Sequence, residues 1–305
     1  MQSLNNRLHI AIVHTPVIML VILMAMMSAA VSSTDAAPKR DNAWYFAHGV
    51  TVVNPPNSAP LSFQGINGEP KGYLIDIWKK WSDKTGIPVT FRFEEWAKTI
   101  PLVANSECDI HGGLFINEER AKFLDFSMSF HELESTLLVK IEYDTDLSTI
   151  YDTYTVGILE NGYTEYFFRK NKINLTVKKF PTNGGIAKAL ADNTIQAAAG
   201  DHPVLGFEVG KKGSGHGLIV KQILFTKTIH GAVTKGNTVL LNLMDQGFSD
   251  ITIAEYRNIA SHWFVFHAKK TEWIRYGLIA ATVLFIATMI AILLGRSKAG
   301  LDFEE

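Results

Sequence analysis

Residues 102–127 read LVANSECDIHGGLFINEERAKFLDFS, and the reading of this stretch decides the fold. Leu102 and Val103 close a helical pattern running from Trp96 to Asn105. A short polar turn follows, and Asp109 to Leu114 reads as a strand. Next comes a polar stretch centred on Arg120, then Leu124-Asp125-Phe126-Ser127. Helix, turn and strand in this order mark an α/β unit.

The same alternation extends on both sides. Leu74 to Trp81 has apolar residues at helical spacing, ended by Thr85-Gly86-Ile87-Pro88. Val89 to Phe93 reads as a strand, as does Thr155 to Leu159. Helices are expected over 162–171 and 184–192, with a strand over 195–199. The glycine-rich run from Lys211 to Gly217 lacks the GxGxxG spacing of a phosphate loop and reads as a surface turn. No repeat, heptad or low-complexity tract interrupts the pattern.

The two ends are apolar. Arg7 and His9 precede an apolar run, Val17 to Met27, and small residues from Ser28 to Ser33, so 1–33 reads as a signal peptide, with an uncleaved anchor as the alternative. No cysteine follows the run, which argues against a lipoprotein. Tyr276 to Gly295 is twenty residues without a charge, the length of a spanning helix. With Trp273 at its edge we expect a transmembrane helix over 273–295, a buried core helix being the alternative. The remaining 296–305 would be a short cytoplasmic tail, too small to form a domain. Whether Glu305 is the natural end stays open.

Lys and Arg total 29 against 30 Asp and Glu, so no basic surface points to nucleic acid. The single cysteine, Cys108, has no intramolecular partner and reads as a buried thiol. His111, His131, His202 and His230 lack the close spacing of a zinc site, so neither a metal nor a cofactor is expected.

Five segments in fixed order resemble the extracytoplasmic solute-binding proteins of family 3, the amino-acid-binding type. They are PLSFQGINGEPKGYLIDIW, LVANSECDIHGGLFINEERAKFLDFS, VGILENGYTEYFF, ALADNTIQAAAGD and VTKGNTVLLNLMDQGFSDITIAEYRNIASHWF. The resemblance runs from about Ala47 to Val265. It implies a two-lobed periplasmic binding protein type II fold, the Venus-flytrap arrangement, with lobe one at 43–140, lobe two at 141–225 and a return to lobe one at 226–268.

Arg120 falls on the family's carboxylate-gripping arginine, near the start of a helix expected after Asn117. A planar guanidinium suits a carboxylate because two parallel hydrogen bonds form. The alternative is a surface ion pair with Glu118 or Glu119. Asp201 falls on the position that receives the ligand's ammonium, the alternative being a helix N-cap. Departures are visible as well: Leu114, Phe115 and Asn117 stand where hydroxyl residues are common, and Ser58 stands where a stacking aromatic is common. Trp96, Phe63, Phe115 and Tyr163 are the aromatics available to replace it, with Gly162 and Tyr163 opening lobe two's first helix.

The resemblance leaves three functions open. The first is a membrane-tethered sensor resembling the outer domains of diguanylate cyclases and histidine kinases, with lobe closure passed to a membrane signalling partner or to a missing output domain. A substrate-binding component delivering an amino acid to an ABC permease is the second. A dehydratase-like enzyme is the third, although nothing marks Glu160 or any other residue as catalytic. We expect a small amino-acid-like ligand, a periplasmic binding domain on a single-pass inner-membrane anchor, and no enzymatic activity.

Overall fold

The computed structural model describes residues 40–211, 217–264, 277 and 279–290. The expected signal peptide, the tail and most of the glycine-rich turn lie outside them. So does much of the expected span, of which 279–290 is described and helical, with Ile279, Leu284, Phe285 and Ile290 exposed. Among the described residues no helix is long and apolar enough to cross a membrane.

Chain order begins with α1 (Asn42–His48), β1 (Val50–Asn54), β2 (Asn57–Ser58), β3 (Ser62–Gln64), β4 (Pro70–Lys71) and α2 (Tyr73–Thr85). It continues through β5 (Val89–Phe93), α3 (Trp96–Ala104), β6 (Ile110–Leu114) and β7 (Leu124–Lys140). Next come α4 (Leu147–Thr153), β8 (Thr155–Leu159), α5 (Tyr163–Lys170), β9 (Thr176–Phe180), α6 (Asn183–Ala191) and β10 (Ala197–Asp201). The series ends with α7 (His202–Lys211), β11 (Leu218–Thr234), α8 (Thr238–Ser249) and α9 (Ile253–Trp263).

Two 17-residue strands, β7 and β11, organise the molecule. They form one antiparallel ribbon, from Lys140 opposite Leu218 to Leu124 opposite Thr234. At one end β11 also pairs β6 over His230–Val233, and at the other β7 pairs β10 over Ser135–Val139. The sheet order is therefore β5-β1-β6-β11-β7-β10-β8-β9, a lobe on each side of the ribbon. Between them, His131 to Glu134 and Thr226 to Ile229 pair only with each other. A register irregularity between Ile229 and His230 adjoins these rungs and gives the strands extra local twist.

Helical periodicity explains the core of the first lobe. In α2, Leu74, Ile77, Trp78 and Trp81 share one face, and all are buried. They pack with Leu240, Met244 and Phe248 of α8, which brings the chain back to this lobe. Trp78 donates its indole N–H to Gly112 O at 2.8 Å, and Trp81 donates to Met244 O at 3.1 Å, so neither ring leaves a polar atom stranded. In the second lobe the alanines of β10 alternate: Ala198 joins one cluster with Ile186 and Leu205, while Ala197 and Ala199 join the other with Val156 and Phe168.

Two local expectations are corrected. The helix expected after Asn117 is only a 3-10 turn, Arg120–Lys122, because the chain must enter β7 at Leu124. The strand placed at 195–199 instead runs Ala197–Asp201, with Ile195 wholly buried before it. Cys108 is buried and unpaired, and loss of hydration pushes its thiol pKa up.

Gly247 of α8 lies directly over Trp81: a β-carbon there would sit 2.4 Å from its Nε1. Gly247→Ala is therefore expected to lower the unfolding free energy by roughly 1–3 kcal/mol in a urea titration. An unchanged midpoint would show that Trp81 can move aside.

Candidate functional site

A cleft lies where the lobes face each other across the ribbon, with a cavity of ≈ 80 Å³. Arg120 projects into it from the turn after β6, and its side chain is held rather than free. The Asn117 carboxamide accepts from Arg120 N at 2.8 Å, fixing the turn. Arg120 Nη1 donates to Phe115 O at 2.8 Å, and Nη2 reaches Asn161 O of the opposite lobe at 3.5 Å. The guanidinium carbon lies 5.7 Å from the centre of the Trp96 ring, a cation–π contact.

Arg120 is 6% exposed, and no carboxylate pairs with it among the described ion pairs. Burial draws its pKa down to about 10, partly offset by the charge of Asp201. Neither neighbouring glutamate takes it. Glu118 pairs with Lys170 at 2.8 Å and Glu119 with Arg169 at 2.6 Å, both across the cleft. These two pairs are exposed and screened by water, so they bridge the lobes at the rim without contributing much stability.

Asp201 ends β10 and lines the same cavity. Its carboxylate accepts from Ser135 Oγ at 2.7 Å, and no α7 amide donates to it among the described hydrogen bonds. Loss of hydration raises its pKa, while Ser135 and the charge of Arg120 act the other way. The cavity thus sets a cation from lobe one against a carboxyl group from lobe two, without a direct ion pair between them.

Lobe two adds the start of α5. Gly162, Tyr163 and Thr164 line the cavity, and the first-turn amides of a helix point outward along its axis. Tyr163 stands edge-on to Phe115 at 5.4 Å and to Phe225 at 5.0 Å, so three rings from both lobes and the ribbon meet there. Trp96 reaches across as well, donating to Glu160 O at 3.1 Å.

Of the nine residues singled out in the sequence, seven line the cavity: Arg120, Asp201, Leu114, Phe115, Trp96, Gly162 and Tyr163. Two do not. Asn117 lies behind Arg120 and orients it, and Phe63 is turned towards Phe207 at 6.4 Å and Trp263 at 5.7 Å. Phe63 sits in a short hairpin strand whose neighbour Ser62 faces inward instead. Thr164, Asn183 and Val204 were not anticipated. The first two start helices, a position readable from the sequence, whereas Val204 is brought in only by packing.

Behind Trp96 lies His111, buried, with Nε2 3.1 Å from Thr99 Oγ1 and Nδ1 accepting from Gly113 N at 3.2 Å. Burial, with the nearby Arg120 charge, lowers its pKa from 6.5 to about 3, and burial alone takes His131 to about 4. Between these values and 6.5 the unfolded chain binds protons that the folded chain does not, so stability rises with pH up to about 6.5. His111→Gln is expected to flatten that dependence by up to ~1.4 kcal/mol per pH unit, read from urea titrations across the acid range. An unaltered slope would place the titration elsewhere.

The comparisons with known proteins agree with this geometry. The family model for bacterial extracellular solute-binding proteins, family 3, matches residues 50–266. An L-glutamate/L-aspartate-binding protein of Pseudomonas aeruginosa is 25% identical over 230 residues, covering 70% of this chain and 76% of its own. Among solved structures, an ancestral arginine-binding protein bound to arginine is 25% identical with a TM-score of 0.65, covering 71% of this chain and 98% of its own. A histidine kinase sensor domain with similarity to periplasmic binding proteins has a TM-score of 0.65 at 18% identity, covering 71% and 96%, which shows the shared fold. With the match spanning both lobes and the ribbon between them, this chain belongs to family 3 of the bacterial extracellular solute-binding proteins.

Proposed function

We propose that the two lobes, 43–140 with 226–268 and 141–225, close on a free α-amino acid and that closure is a signal rather than a step in uptake. The observation that carries the reading is Arg120, a nearly buried cation with no carboxylate partner among the described residues, facing Asp201 across the cavity. A ligand carboxylate would complete the guanidinium's hydrogen bonding, with the α5 amides adding donors, and the ligand ammonium would lie at Asp201. The amino-acid ligands named for the Pseudomonas protein and the ancestral protein support this chemistry.

The sensor part rests on where the chain leaves the domain. Phe264, after α9, stacks on His131 of the ribbon at 4.9 Å and packs against Tyr73 at 5.1 Å. Trp263 donates to Asp76 at 2.7 Å and touches Phe63, which in turn touches Phe207 of lobe two. Movement of lobe two therefore bears on the exit of α9, from which the apolar run 273–295 would carry it through an inner membrane, with 1–33 directing export. The sensor domain of the histidine kinase supports the same assignment. We read the domain as binding without catalysis.

Arg120→Ala is expected to cost roughly 2–5 kcal/mol of amino-acid affinity by titration calorimetry, and Asp201→Ala a comparable loss. Unchanged affinity in both would move the ligand elsewhere. For the signal, ligand is expected to slow hydrogen exchange in α9 of the native chain, and Phe63→Ala is expected to remove that effect while ligand still binds. Equal protection in both chains would exclude this route.

A further inference from the structure

Resting on the amino-acid reading above, we propose that the side chain of the bound amino acid is short and carries no charge. The argument is an inventory of charge. Of the residues lining the cavity, Arg120 and Asp201 alone are an arginine, lysine, aspartate or glutamate. The ligand's own carboxylate and ammonium use both. Any further charge on its side chain would face Leu61, Leu74, Leu133, Val204 and Ile229, all buried members of one apolar cluster. A charge placed against such a wall loses its water and gains no partner.

The polar groups that remain are neutral. Ser62 already donates its hydroxyl to Pro55 O at 2.9 Å. Ser58, Thr164 and Asn183 are left, enough to hydrogen-bond a hydroxyl or amide but not to neutralise an ion. Lys227, on the ribbon, lies 5.9 Å over the ring of Tyr163 and is not part of the lining. The two ligands named for the Pseudomonas protein both carry a side-chain carboxylate, for which this wall offers no cation.

Space limits length as charge limits kind. The cavity of ≈ 80 Å³ is well below the roughly 300–1,000 Å³ of pockets that take drug-sized ligands, which favours a small amino acid. Gly113 in the lining leaves no room for a side chain of its own, since a β-carbon there would come within 2.8 Å of Leu74 Cδ1 and 3.0 Å of Ile229 Cγ2.

The test is titration calorimetry on the full chain in mild detergent. The ligands are alanine, serine, cysteine and valine, against aspartate, glutamate, lysine, arginine and tryptophan, with Arg120→Ala and Arg120→Gln in parallel. Short uncharged amino acids are expected to bind roughly a hundredfold more tightly than the charged ones, dependent on Arg120. If aspartate, lysine or another charged amino acid binds as tightly, still dependent on Arg120, the inference is overturned and the amino-acid reading stands. Tighter binding of tryptophan would overturn the length limit in the same way. If no amino acid binds, the amino-acid reading itself falls and this inference falls with it.

Discussion

Everything in this domain hangs on the ribbon of β7 and β11. Backbone hydrogen bonding cannot stop at a lobe boundary without stranding polar groups, so one pair of strands runs unbroken through both lobes. Each lobe then builds outward from a different edge, β6 on one side and β10 on the other. In the middle, among the described residues, four rungs have no lateral neighbour and carry the one ladder between two sizeable cores. Bending is easiest where fewest neighbours must move, and the register irregularity beside Ile229 falls there.

The cleft inherits its chemistry from that arrangement. Arg120 is buried because lobe two places Asn161 and Tyr163 over it, and the cost of desolvating the guanidinium is visible in its lowered pKa. A cation held at that cost, with some of its donors spent on carbonyls, is prepared for a planar anion. The ion pairs of Glu118 and Glu119 with lobe two sit at the rim, where water screens them. The cleft is thus bridged by weak rim pairs and by an aromatic contact of Phe115, Tyr163 and Phe225.

A second aromatic line leads away from the cleft. Phe207, Phe63 and Trp263 touch in sequence, and Phe264 rests on His131 of the ribbon. Rings transmit displacement well because they are stiff and close-packed. This joins the end of α9 to the ribbon directly and to lobe two through Phe63.

Much was legible in the residues themselves. The face of α2, the strands at Val89 and Thr155 and the helices from Tyr163 and Asn183 follow from local periodicity, which a short window contains. Arg120, Asp201 and Tyr163 stood out by type and order. The length of β7 and β11 did not, since LDFSMSFHELESTLLVK lacks a strand's alternation: it is buried at Leu124, Ser127, Phe130 and Leu133 and then at every position from Ser135 to Val139. Phe63 was misplaced because a two- or three-residue strand does not announce which side faces in. Local periodicity determined most of the elements, because it depends on neighbours in the chain, while Arg120 and Asp201 were singled out by the resemblance to the family. Only the tertiary structure decided that Arg120 lacks a carboxylate partner among the described residues, that Leu133, Val204 and Ile229 wall the same cavity, and that Trp263 meets Phe63. Those are contacts between residues far apart in sequence, and packing alone brings them together.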